Sequence, residues 1–327
     1  MRSDDLDRDD ARWFACEVVE SVKILVADGG WNPAEDSAES DWLLAAIGES
    51  ETSGSGIRLS PYRVEVVPED RLLSADIDSA RILVLADVST MNPAESARID
   101  QFLREGGGVL VFTGSRMDHS TWKANAWNNG DGWFPWEPGV AVSDPRRQVF
   151  YHWLIKDMEH PIMEYLASFP EAGLGDVVVH GFQKPLQIKE DSQILMELDD
   201  FDQTPVLVQD YQGSGSVVVL GTGADREWSN FPVTPAYVCF LHECLPWLTV
   251  QDGNWRYLAL GQPLVREVPS SDYAPRVSLI TPDGGVVPLA LKESEDRKSF
   301  LLSVAGSWQP GVYEIRYEKE SGETRSD

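Results

Sequence analysis

Short apolar runs that end at turns limit the fold of this chain more than any other feature of its sequence. Residues 22–27, 81–86 and 109–113 each have the length of one buried strand. The motif Asn-Pro-Ala-Glu follows the first two runs, beginning at Asn32 and Asn92, and favours a helix start because asparagine caps a helix and proline fits its first position. Strands that alternate with helices predict an α/β fold with a mostly parallel sheet and helices on both faces.

The character of the sequence changes near residue 250. Before this point, further strands are predicted at 62–67, 177–180, 193–198, 205–209 and 216–221, and a last helix at 235–248. Residues 122–139, rich in Trp, Asn, Gly and Pro, predict a loop. After it, short strands separated by turns predict a small antiparallel β-sandwich. The predicted parts are an N-terminal strand or linker over 1–20, an α/β domain over 21–250 and the sandwich over 251–327.

The chain is strongly acidic, and this limits its partners. It carries 54 acidic and 27 basic residues, a formal net charge of -27 at pH 7. Such a surface repels phosphate backbones and anionic lipids, so we expect neither nucleic-acid nor membrane-surface binding. The simplest role of the charge is to keep the protein dispersed in water.

The N-terminal residues favour a strand over a targeting segment. The chain opens on acidic residues without an apolar segment, which predicts that it carries no signal peptide. An alternating pattern over 13–19 predicts a strand, and we expect it to pair with the sandwich or to extend the large sheet. No apolar run approaches the roughly 20 residues that span a bilayer, so no membrane insertion is expected.

Neither cysteines nor histidines are spaced for a metal site. Cys239 and Cys244 lie five residues apart in a predicted helix and do not share a face, and Cys16 stands alone, which favours structural thiols. The histidines show neither H-x-x-x-H spacing nor an HExxH motif. No glycine-rich loop matches a phosphate-binding motif. The sequence therefore predicts no metal and no cofactor.

Polar residues follow several of the predicted parallel strands. An open parallel sheet binds ligands beyond the carboxyl ends of its strands, so these residues define a candidate strand-end pocket. Its predicted members are Asp28, Asp87, Thr113, Ser115, Arg116, Asp225, Arg226, Glu227 and Trp228. A buried Arg–carboxylate network that stabilises the loop after residue 224 is the simplest interpretation of the last four, and a ligand site is the alternative.

The pocket residues do not form a recognisable catalytic set. A nucleophile on this architecture needs Cys or Ser in a sharp strand-to-helix turn with a histidine nearby. The turn after 109–112 carries Thr113, Gly114 and Ser115 and no cysteine. Ser115 with His119 is conceivable, but the G-x-S-x-G spacing is absent. We therefore expect no catalytic residues.

Aromatic residues are concentrated between residues 122 and 136. The run comprises Trp122, Trp127, Trp133, Phe134 and Trp136. Exposed rings could stack on sugars or anchor a partner, whereas buried rings would form a satellite core beneath a long loop. We expect at least two of the four tryptophans to be mostly buried, because so much exposed aromatic surface is rare on a soluble protein.

Several of these segments together resemble a known family. The chain contains, in this order, the strand 22–28, Asp87, the segment 106–114, His160-Pro161-Ile162, the strand 215–220 and the motif D-R-x-W-S-x-x-P at 225–232. This order resembles that of the class I glutamine-amidotransferase-like domain of BatA-like, von Willebrand A-containing bacterial membrane proteins, which are found especially among planctomycetes. The last motif is the most specific part. Pro282-Asp283-Gly284 and the segment 310–313 resemble the immunoglobulin-like β-sandwich that follows this domain.

The resemblance implies a flavodoxin-like, class I glutamine-amidotransferase-like sheet in a fragment of a larger protein. It implies membrane helices and a von Willebrand A domain elsewhere in that protein, and an extracytoplasmic location. True amidotransferases carry a catalytic Cys at the turn where Thr113 stands, and a His and a Glu later in the chain, where Asp225 and Glu227 stand. The chain thus lacks both the nucleophile and the base of these enzymes at the matching positions, so we do not expect it to have amidotransferase activity.

The sequence thus favours a non-catalytic interaction or scaffold module of a bacterial envelope protein. Its expected partners are other protein domains, from its own parent protein or an envelope complex. Two alternatives stay open: a degenerate hydrolase that uses Ser115 or the acidic loop residues, and a carbohydrate-binding module that uses the Trp-rich segment.

Overall fold

A computed structural model describes residues 21–31, 39–48, 60–249, 261–269, 276–293, 299–306, 309–318 and 324–326 of the chain. The predicted strand over 13–19, Cys16 and the predicted helix start at Asn32 lie outside these residues. By its internal contacts the chain divides into two compact units, and the larger one lies within Glu20–Gln251.

The described residues of the larger unit form one large sheet and one small sheet. Its strands are β1 (Val22–Asp28), β2 (Tyr62–Pro68), β3 (Ile82–Ala86), β4 (Gly108–Phe112), β5 (Trp136–Ser143), β6 (Trp153–Ile155), β7 (Gly181–Ile188), β8 (Gln193–Leu198), β9 (Pro205–Gln212) and β10 (Gly215–Leu220). Eight of them form the large sheet in the order β2-β1-β3-β4-β10-β9-β8-β6, and β5 pairs with β7.

The large sheet is mostly parallel. Strands β2, β1, β3, β4 and β10 run parallel, whereas β9, β8 and β6 join through antiparallel pairs. Gly213 and Ser214 connect β9 to β10, and the φ of 61° at Gly213 is one that glycine adopts without strain. The connection is a hairpin turn between antiparallel strands, and the mixed α/β class predicted from the sequence is confirmed.

Helices cover both faces of the large sheet. They are α1 (Asp41–Ile47), α2 (Pro93–Arg104), α3 (His119–Trp122), α4 (Pro161–Ser168) and α5 (Pro235–Thr249). Alternate strand residues enter two separate cores because successive strand side chains point to opposite faces. Val84 packs in a core with α1, α4 and α5, and Leu83 packs in a core with α2.

The start of α2 is the one predicted from the Asn-Pro-Ala-Glu motif. The Asn92 side chain accepts hydrogen bonds from the backbone N–H groups of Ala94 and Glu95, both at 2.9 Å. The Glu95 carboxylate accepts from the Asn92 backbone N–H at 3.0 Å, which completes the capping box. The helix ends before Gly106, whose φ is 94°.

An aromatic cluster, formed by Trp122, Trp127, Trp133, Phe134 and Trp136, is buried beside α2. No member is more than 3% exposed, which confirms the predicted burial. All of the cluster's rings except that of Trp127 meet a neighbouring ring edge to face; the Phe134 centroid, for example, lies 5.2 Å from that of Trp122. The Trp122 indole donates to the Val88 carbonyl oxygen at 3.1 Å. Buried, tilted rings present no flat platform for a sugar.

Two local predictions differ from the structure. Residues 122–139 were expected to form a loop, but a π-helix spans Lys123–Trp127 and β5 starts at Trp136, because burial of the aromatic cluster orders a segment whose Gly and Asn content favours turns. Residues 177–180 do not form a strand of the large sheet. Val179 makes isolated bridges with Tyr151 and Ser229, and β7 begins at Gly181.

The described residues of the smaller unit form two antiparallel sheets. Its strands are β11 (Leu264–Pro269), β12 (Arg276–Ile280), β13 (Val286–Leu289), β14 (Leu291–Glu293), β15 (Ser299–Val304), β16 (Glu314–Glu318) and β17 (Thr324–Ser326). The sheets have the orders β11-β15-β14 and β13-β12-β16-β17. The consecutive strands β13 and β14 belong to different sheets, since β13 pairs with β12 and β14 with β15. Leu302 of one sheet and Leu279 of the other belong to the same buried cluster.

Two further observations concern cysteines and membranes. Cys244 is buried, as expected of a structural thiol, whereas Cys239 is partly exposed; burial raises the pKa of both thiols. No helix in the described part of the chain is long and apolar enough to cross a membrane.

The aromatic cluster gives a stability prediction. We expect Trp122→Ala to lower the free energy of unfolding by about 3–5 kcal/mol, because it leaves a large cavity and an unpaired Val88 carbonyl. Urea unfolding followed by far-ultraviolet circular dichroism measures this change. Trp31→Ala is the matched control, since Trp31 is 45% exposed and its loss should change stability by less than about 0.5 kcal/mol. Equal effects of the two substitutions would contradict the packing role of the cluster.

Candidate functional site

The carboxyl ends of four parallel strands lie side by side. Backbone hydrogen bonds continue one residue beyond each strand: Gly29 N donates to Ala86 O at 2.8 Å, and Asp87 N donates to Phe112 O at 3.0 Å. Thr113 N donates to Leu220 O at 3.0 Å, so the turns after β1, β3, β4 and β10 are aligned. These turns therefore share one edge of the sheet, the edge beyond the carboxyl ends of its parallel strands.

Five acidic side chains, which we call the acidic cluster, gather at these turns. Its members are Asp28, Glu39, Asp87, Asp225 and Glu227. Asp28 and Asp87 are at most 2% exposed, Glu39 and Asp225 are half-buried, and Glu227 is exposed. The cluster therefore extends from the interior of the larger unit to its surface.

Asp28 organises the segment that enters α1. Its carboxylate accepts from the backbone N–H of Ser40 at 2.8 Å and from that of Glu39 at 3.3 Å. These bonds satisfy N–H groups at the start of the helix, where a negative charge is favourable. As a result the Glu39 side chain is positioned against the turn after β1, where a Cβ atom on Gly30 would lie 2.5 Å from Glu39 Cγ.

Asp87 is enclosed by two glycines. Its carboxylate accepts from the Arg116 backbone N–H at 3.2 and 3.3 Å. A Cβ atom on Gly114 would lie 2.2 Å from Asp87 Cγ, and one on Gly29 would lie 1.9 Å from the Asp87 carbonyl oxygen. The backbone of Asp87 has a φ of 45°, a left-handed conformation that Asp and Asn tolerate better than most residues. A side chain at Gly114 would therefore displace the Asp87 carboxyl group, and one at Gly29 would displace the Asp87 backbone.

Burial and mutual repulsion raise the pKa values of three members of the acidic cluster. Loss of solvation, followed by the charges of Asp225, Asp87, Asp28 and Glu227, raises the pKa of Glu39 to about 8. Loss of solvation also raises the pKa of Asp87 to about 7, against the opposing effects of the Arg116 N–H group and guanidinium. The pKa of Asp225 is raised mainly by burial. The site thus holds carboxyl groups that titrate near neutral pH, as binding and catalytic sites often do.

The hydroxyl groups of the turn after β4 are committed to neighbouring acceptors. Thr113 is buried, and its hydroxyl donates to the Leu220 carbonyl oxygen at 3.2 Å. The exposed Ser115 donates to a Glu227 carboxylate oxygen at 2.7 Å. Among the described residues no histidine contacts either hydroxyl. His119, paired with Ser115 in the sequence-based alternative, begins α3 instead.

Arginines border the acidic cluster without neutralising it. The Arg116 guanidinium lies 3.2 Å from a Glu69 carboxylate oxygen outside the cluster. Arg147 donates to the backbone carbonyl oxygens of Arg226 and Glu227 at 3.1 and 3.4 Å. Within the described residues, no cationic side chain forms an ion pair with a member of the acidic cluster.

The loop after β10 is stabilised differently from the prediction. Arg226 is exposed and, in the described part of the chain, pairs with no carboxylate, so the expected Arg–carboxylate network is wrong. Trp228 is buried against Gly181, where a Cβ atom would lie 2.6 Å from its ring. Its carbonyl oxygen accepts from His180 N at 2.7 Å. Trp228 is therefore a packing residue, while Asp225 and Glu227 face the site.

Two residues that the sequence analysis did not name complete the site. Glu39 is one, and Tyr237 of α5 is the other. The Tyr237 side chain is fully buried, its hydroxyl has no hydrogen-bond partner, and the charges of Asp225 and Glu39 help to raise its pKa. Glu39 stands in a generally acidic segment and Tyr237 in an apolar helix, so neither carries a local signal of its position.

The described residues offer no evident metal site. No group of three or more His, Cys, Asp or Glu side chains among them could hold a metal ion. The members of the acidic cluster are close enough to affect one another's charge, yet they do not converge on one coordination point.

Comparisons with known proteins give distant structural similarities. No family model matches the chain, and no curated protein matches it. A cytoplasmic protein of Salmonella typhimurium is 15% identical, with 70% of this chain and 98% of that chain covered and a TM-score of 0.48. A ThuA-like protein of Bacteroides uniformis is 13% identical, with 74% and 98% covered and a TM-score of 0.44.

The chain is similar to a glycosidase at a comparably low sequence identity and TM-score. The β-galactosidase of Bacillus circulans sp. alkalophilus is 10% identical over 88% of this chain, with a TM-score of 0.45, and the alignment covers 42% of that enzyme. Similarities at this level do not establish a family or an activity for the chain.

The raised pKa of Asp87 predicts how stability depends on pH. Between about pH 4 and 7 the folded protein holds a proton on Asp87 that the unfolded chain releases, so this group makes the free energy of unfolding fall as pH rises. Asp87→Asn stays neutral and keeps an acceptor for the Arg116 N–H. We therefore compare the free energy of unfolding of the variant with that of the unaltered protein. We expect this difference to shift in favour of the variant by roughly 2–3 kcal/mol as the pH rises from 5 to 8.

Urea unfolding at several pH values measures this difference, and Asp131→Asn, at an exposed position, is the matched control. Parallel stability curves for Asp87→Asn and the unaltered protein would show that Asp87 is ionised throughout this range.

Proposed function

We propose that this chain is a non-catalytic interaction module of a larger bacterial envelope protein. In this proposal the larger unit has a flavodoxin-like, class I glutamine-amidotransferase-like architecture, and the smaller unit is an immunoglobulin-like β-sandwich. The observation that carries the proposal is the state of the turn after β4, where an amidotransferase would present its nucleophile. Thr113 occupies that position, and its hydroxyl is buried and bonded to the Leu220 carbonyl oxygen.

The surroundings of Thr113 also favour a non-catalytic role. Amide hydrolysis needs a base to activate the nucleophile and donors to stabilise an oxyanion. The groups at the corresponding edge are the carboxyls of Asp87, Asp225 and Glu227. Their negative field opposes the charge that develops on an oxyanion, because charges interact strongly where water is excluded. The same features leave a polar, half-buried surface on which a partner can bind.

The architecture of the two units supports their proposed assignment. The large sheet is mostly parallel and has its polar turns at one edge, as doubly wound folds do. The two sheets of the smaller unit share the buried cluster that contains Leu279 and Leu302, which suits a sandwich. Protein domains of the parent protein or of an envelope complex are the proposed partners, and the extracytoplasmic side of the membrane is the proposed location.

One observation favours a second candidate, a degenerate hydrolase. Ser115 is exposed and donates to the Glu227 carboxylate at 2.7 Å, which is the distance expected between a nucleophile and a general base. A lone carboxylate is a weak base for a serine, and no third group orients it among the described residues. We therefore rank this candidate second.

Hydrolysis assays distinguish the two candidates. We expect the purified chain to release no ammonia from glutamine and no p-nitrophenol from p-nitrophenyl acetate above the rate with heat-denatured protein, because Thr113 is not activated. Ser115→Ala and Thr113→Ala serve as paired variants. Turnover that Ser115→Ala abolishes would replace the proposal with the hydrolase, and turnover that Thr113→Ala abolishes would identify Thr113 as a nucleophile.

The interaction role is tested separately on the parent protein. Cross-linking of that protein in its native envelope, with mass-spectrometric identification, should connect the larger unit to other domains or envelope proteins. Abundant cross-links within the larger unit, without any to another domain or protein, would contradict the role.

A further inference from the structure

A short basic loop, formed by residues 145–150, lies on the surface of the larger unit. Its sequence is Pro-Arg-Arg-Gln-Val-Phe, and all of its residues are exposed. The whole chain has 54 acidic and 27 basic residues, yet no residue from 145 to 156 is acidic. The basic loop is therefore a local region of positive charge on a strongly acidic protein.

Hydrogen bonds hold the backbone of the basic loop in one conformation. The Asp144 carboxylate accepts from three backbone N–H groups of the loop, at 3.0, 2.7 and 2.7 Å; these belong to Arg146, Gln148 and Val149. The Asp144 backbone N–H donates to the His180 carbonyl oxygen at 2.9 Å, which ties the start of the loop to the segment before β7. A loop held in this way loses little conformational freedom when a partner binds to it.

Two arginines at this place, Arg146 and Arg226, form no ion pair within the described residues. Both are exposed. Arg147 Nη2 donates to the carbonyl oxygens of Arg226 and Glu227 at 3.1 and 3.4 Å, which brings the backbone of Arg226 beside the basic loop. The Glu227 carboxylate accepts from the Ser115 hydroxyl instead of pairing with either arginine. Unpaired guanidinium groups on an acidic protein are complementary to carboxylates that a partner supplies.

Two exposed apolar side chains end the basic loop. Val149 is 52% exposed and Phe150 is 53% exposed. The Phe150 ring meets the rings of His152 and His180 edge to face, with centroids 5.5 and 6.4 Å apart, so it is held in position from one side and open on the other. Arginines and aromatic rings are the residue types that contribute most to binding at protein interfaces.

We propose that the basic loop, together with Arg226, binds an acidic segment of a partner protein that carries an apolar side chain next to its carboxylates. The carboxylates of the segment accept from the guanidinium groups of Arg146 and Arg226, each of which can offer two parallel N–H donors to one carboxylate. The apolar side chain packs on Val149 and Phe150. This inference rests on the proposed function, because it assigns a surface and a partner chemistry to the interaction module.

The charge of the chain favours a short acidic segment over other negatively charged partners. Nucleic acids and anionic membranes extend well beyond the basic loop, and the net charge of -27 on the protein repels them. Two copies of the chain repel each other through the same net charge. A short segment contacts the loop alone and avoids most of this repulsion.

Selection from a library of random dodecapeptides displayed on phage tests the proposal. The library is passed over the immobilised full chain, and peptides that also bind the double variant Arg146→Ala/Arg226→Ala are removed. We expect the enriched peptides to have a negative net charge and at least one large apolar residue. The most enriched peptide is then synthesised with an uncharged fluorophore, and its affinity is measured by fluorescence polarisation. A rise in salt from about 50 to about 300 mM should weaken its binding by about fivefold or more, because salt screens exposed charges.

Single variants examine the residues that carry the proposal. Arg146→Ala and Arg226→Ala should each weaken peptide binding by about fivefold or more without lowering Tm, because neither side chain has an ion pair to lose. Phe150→Ser should weaken it by about tenfold. Arg63→Ala, at an exposed position of β2 at the other end of the large sheet, is the matched control for the arginines. Phe169→Ser, at a ring that is 48% exposed, is the matched control for Phe150→Ser. Both controls should bind the peptide as the unaltered protein does.

Several results would overturn the proposal. These are enrichment of no peptide or of peptides without an acidic excess, equal losses in the loop variants and their controls, and tighter binding of oligothymidylate or of phosphatidylserine vesicles than of the peptide. Self-association of the chain in sedimentation velocity that Arg146→Ala/Arg226→Ala abolishes would also overturn it, since the occupant would then be a second copy. The failure is distinguishable from that of the proposed function, because cross-links from other surfaces of the larger unit to a partner would preserve the interaction role.

Discussion

The site depends on the continuation of the parallel hydrogen-bond ladder beyond the strands. The bonds from Gly29, Asp87 and Thr113 to the neighbouring strand ends align four turns that lie far apart in the sequence. Once the turns are aligned, Asp28 and Asp87 must lie beneath them, and the loop after β10 brings Asp225 alongside. The positions of Asp28 and Asp87 thus follow from the backbone geometry of the strand ends, together with the glycines that make room for Asp87.

This arrangement has an energetic cost that the rest of the larger unit offsets. Buried carboxyl groups that repel one another oppose folding, more so as the pH rises and they ionise. Two extensive apolar cores on the faces of the large sheet provide the opposing stabilisation. Retention of an unfavourable polar cluster in an otherwise well-packed protein is characteristic of a functional site, where local stability is exchanged for binding capacity.

The parts of the fold that were predicted from the sequence depend on local signals. The strands β1, β3 and β4 are short apolar runs, and the start of α2 follows from its capping box. Asp28 and Asp87 were located because a parallel sheet aligns the ends of its strands. These inferences need only the lengths of the apolar runs, the capping residues and the alignment of parallel strand ends.

The remainder depends on tertiary contacts that leave no local signal. Glu39 joins the site because Asp28 binds the backbone of the segment entering α1, and Tyr237 because α5 packs beneath the strand ends. The exposure of Arg226 was missed because its neighbours in sequence suggested an ion pair, while the loop is stabilised by the burial of Trp228. The helical part of 122–139 follows from burial of its aromatic rings against the sheet, which outweighs the local preference for turns.

The edge-to-face packing of the aromatic cluster makes the larger unit easy to observe by spectroscopy. Rings such as Trp122 and Trp133, whose centroids lie 6.0 Å apart, are held in a fixed asymmetric arrangement. Fixed aromatic rings give a near-ultraviolet circular dichroism signal that disappears when specific packing is lost, even where helices and strands persist. A loosened state of this unit, in which the sheet survives but the side chains move freely, would therefore be visible optically without any added label.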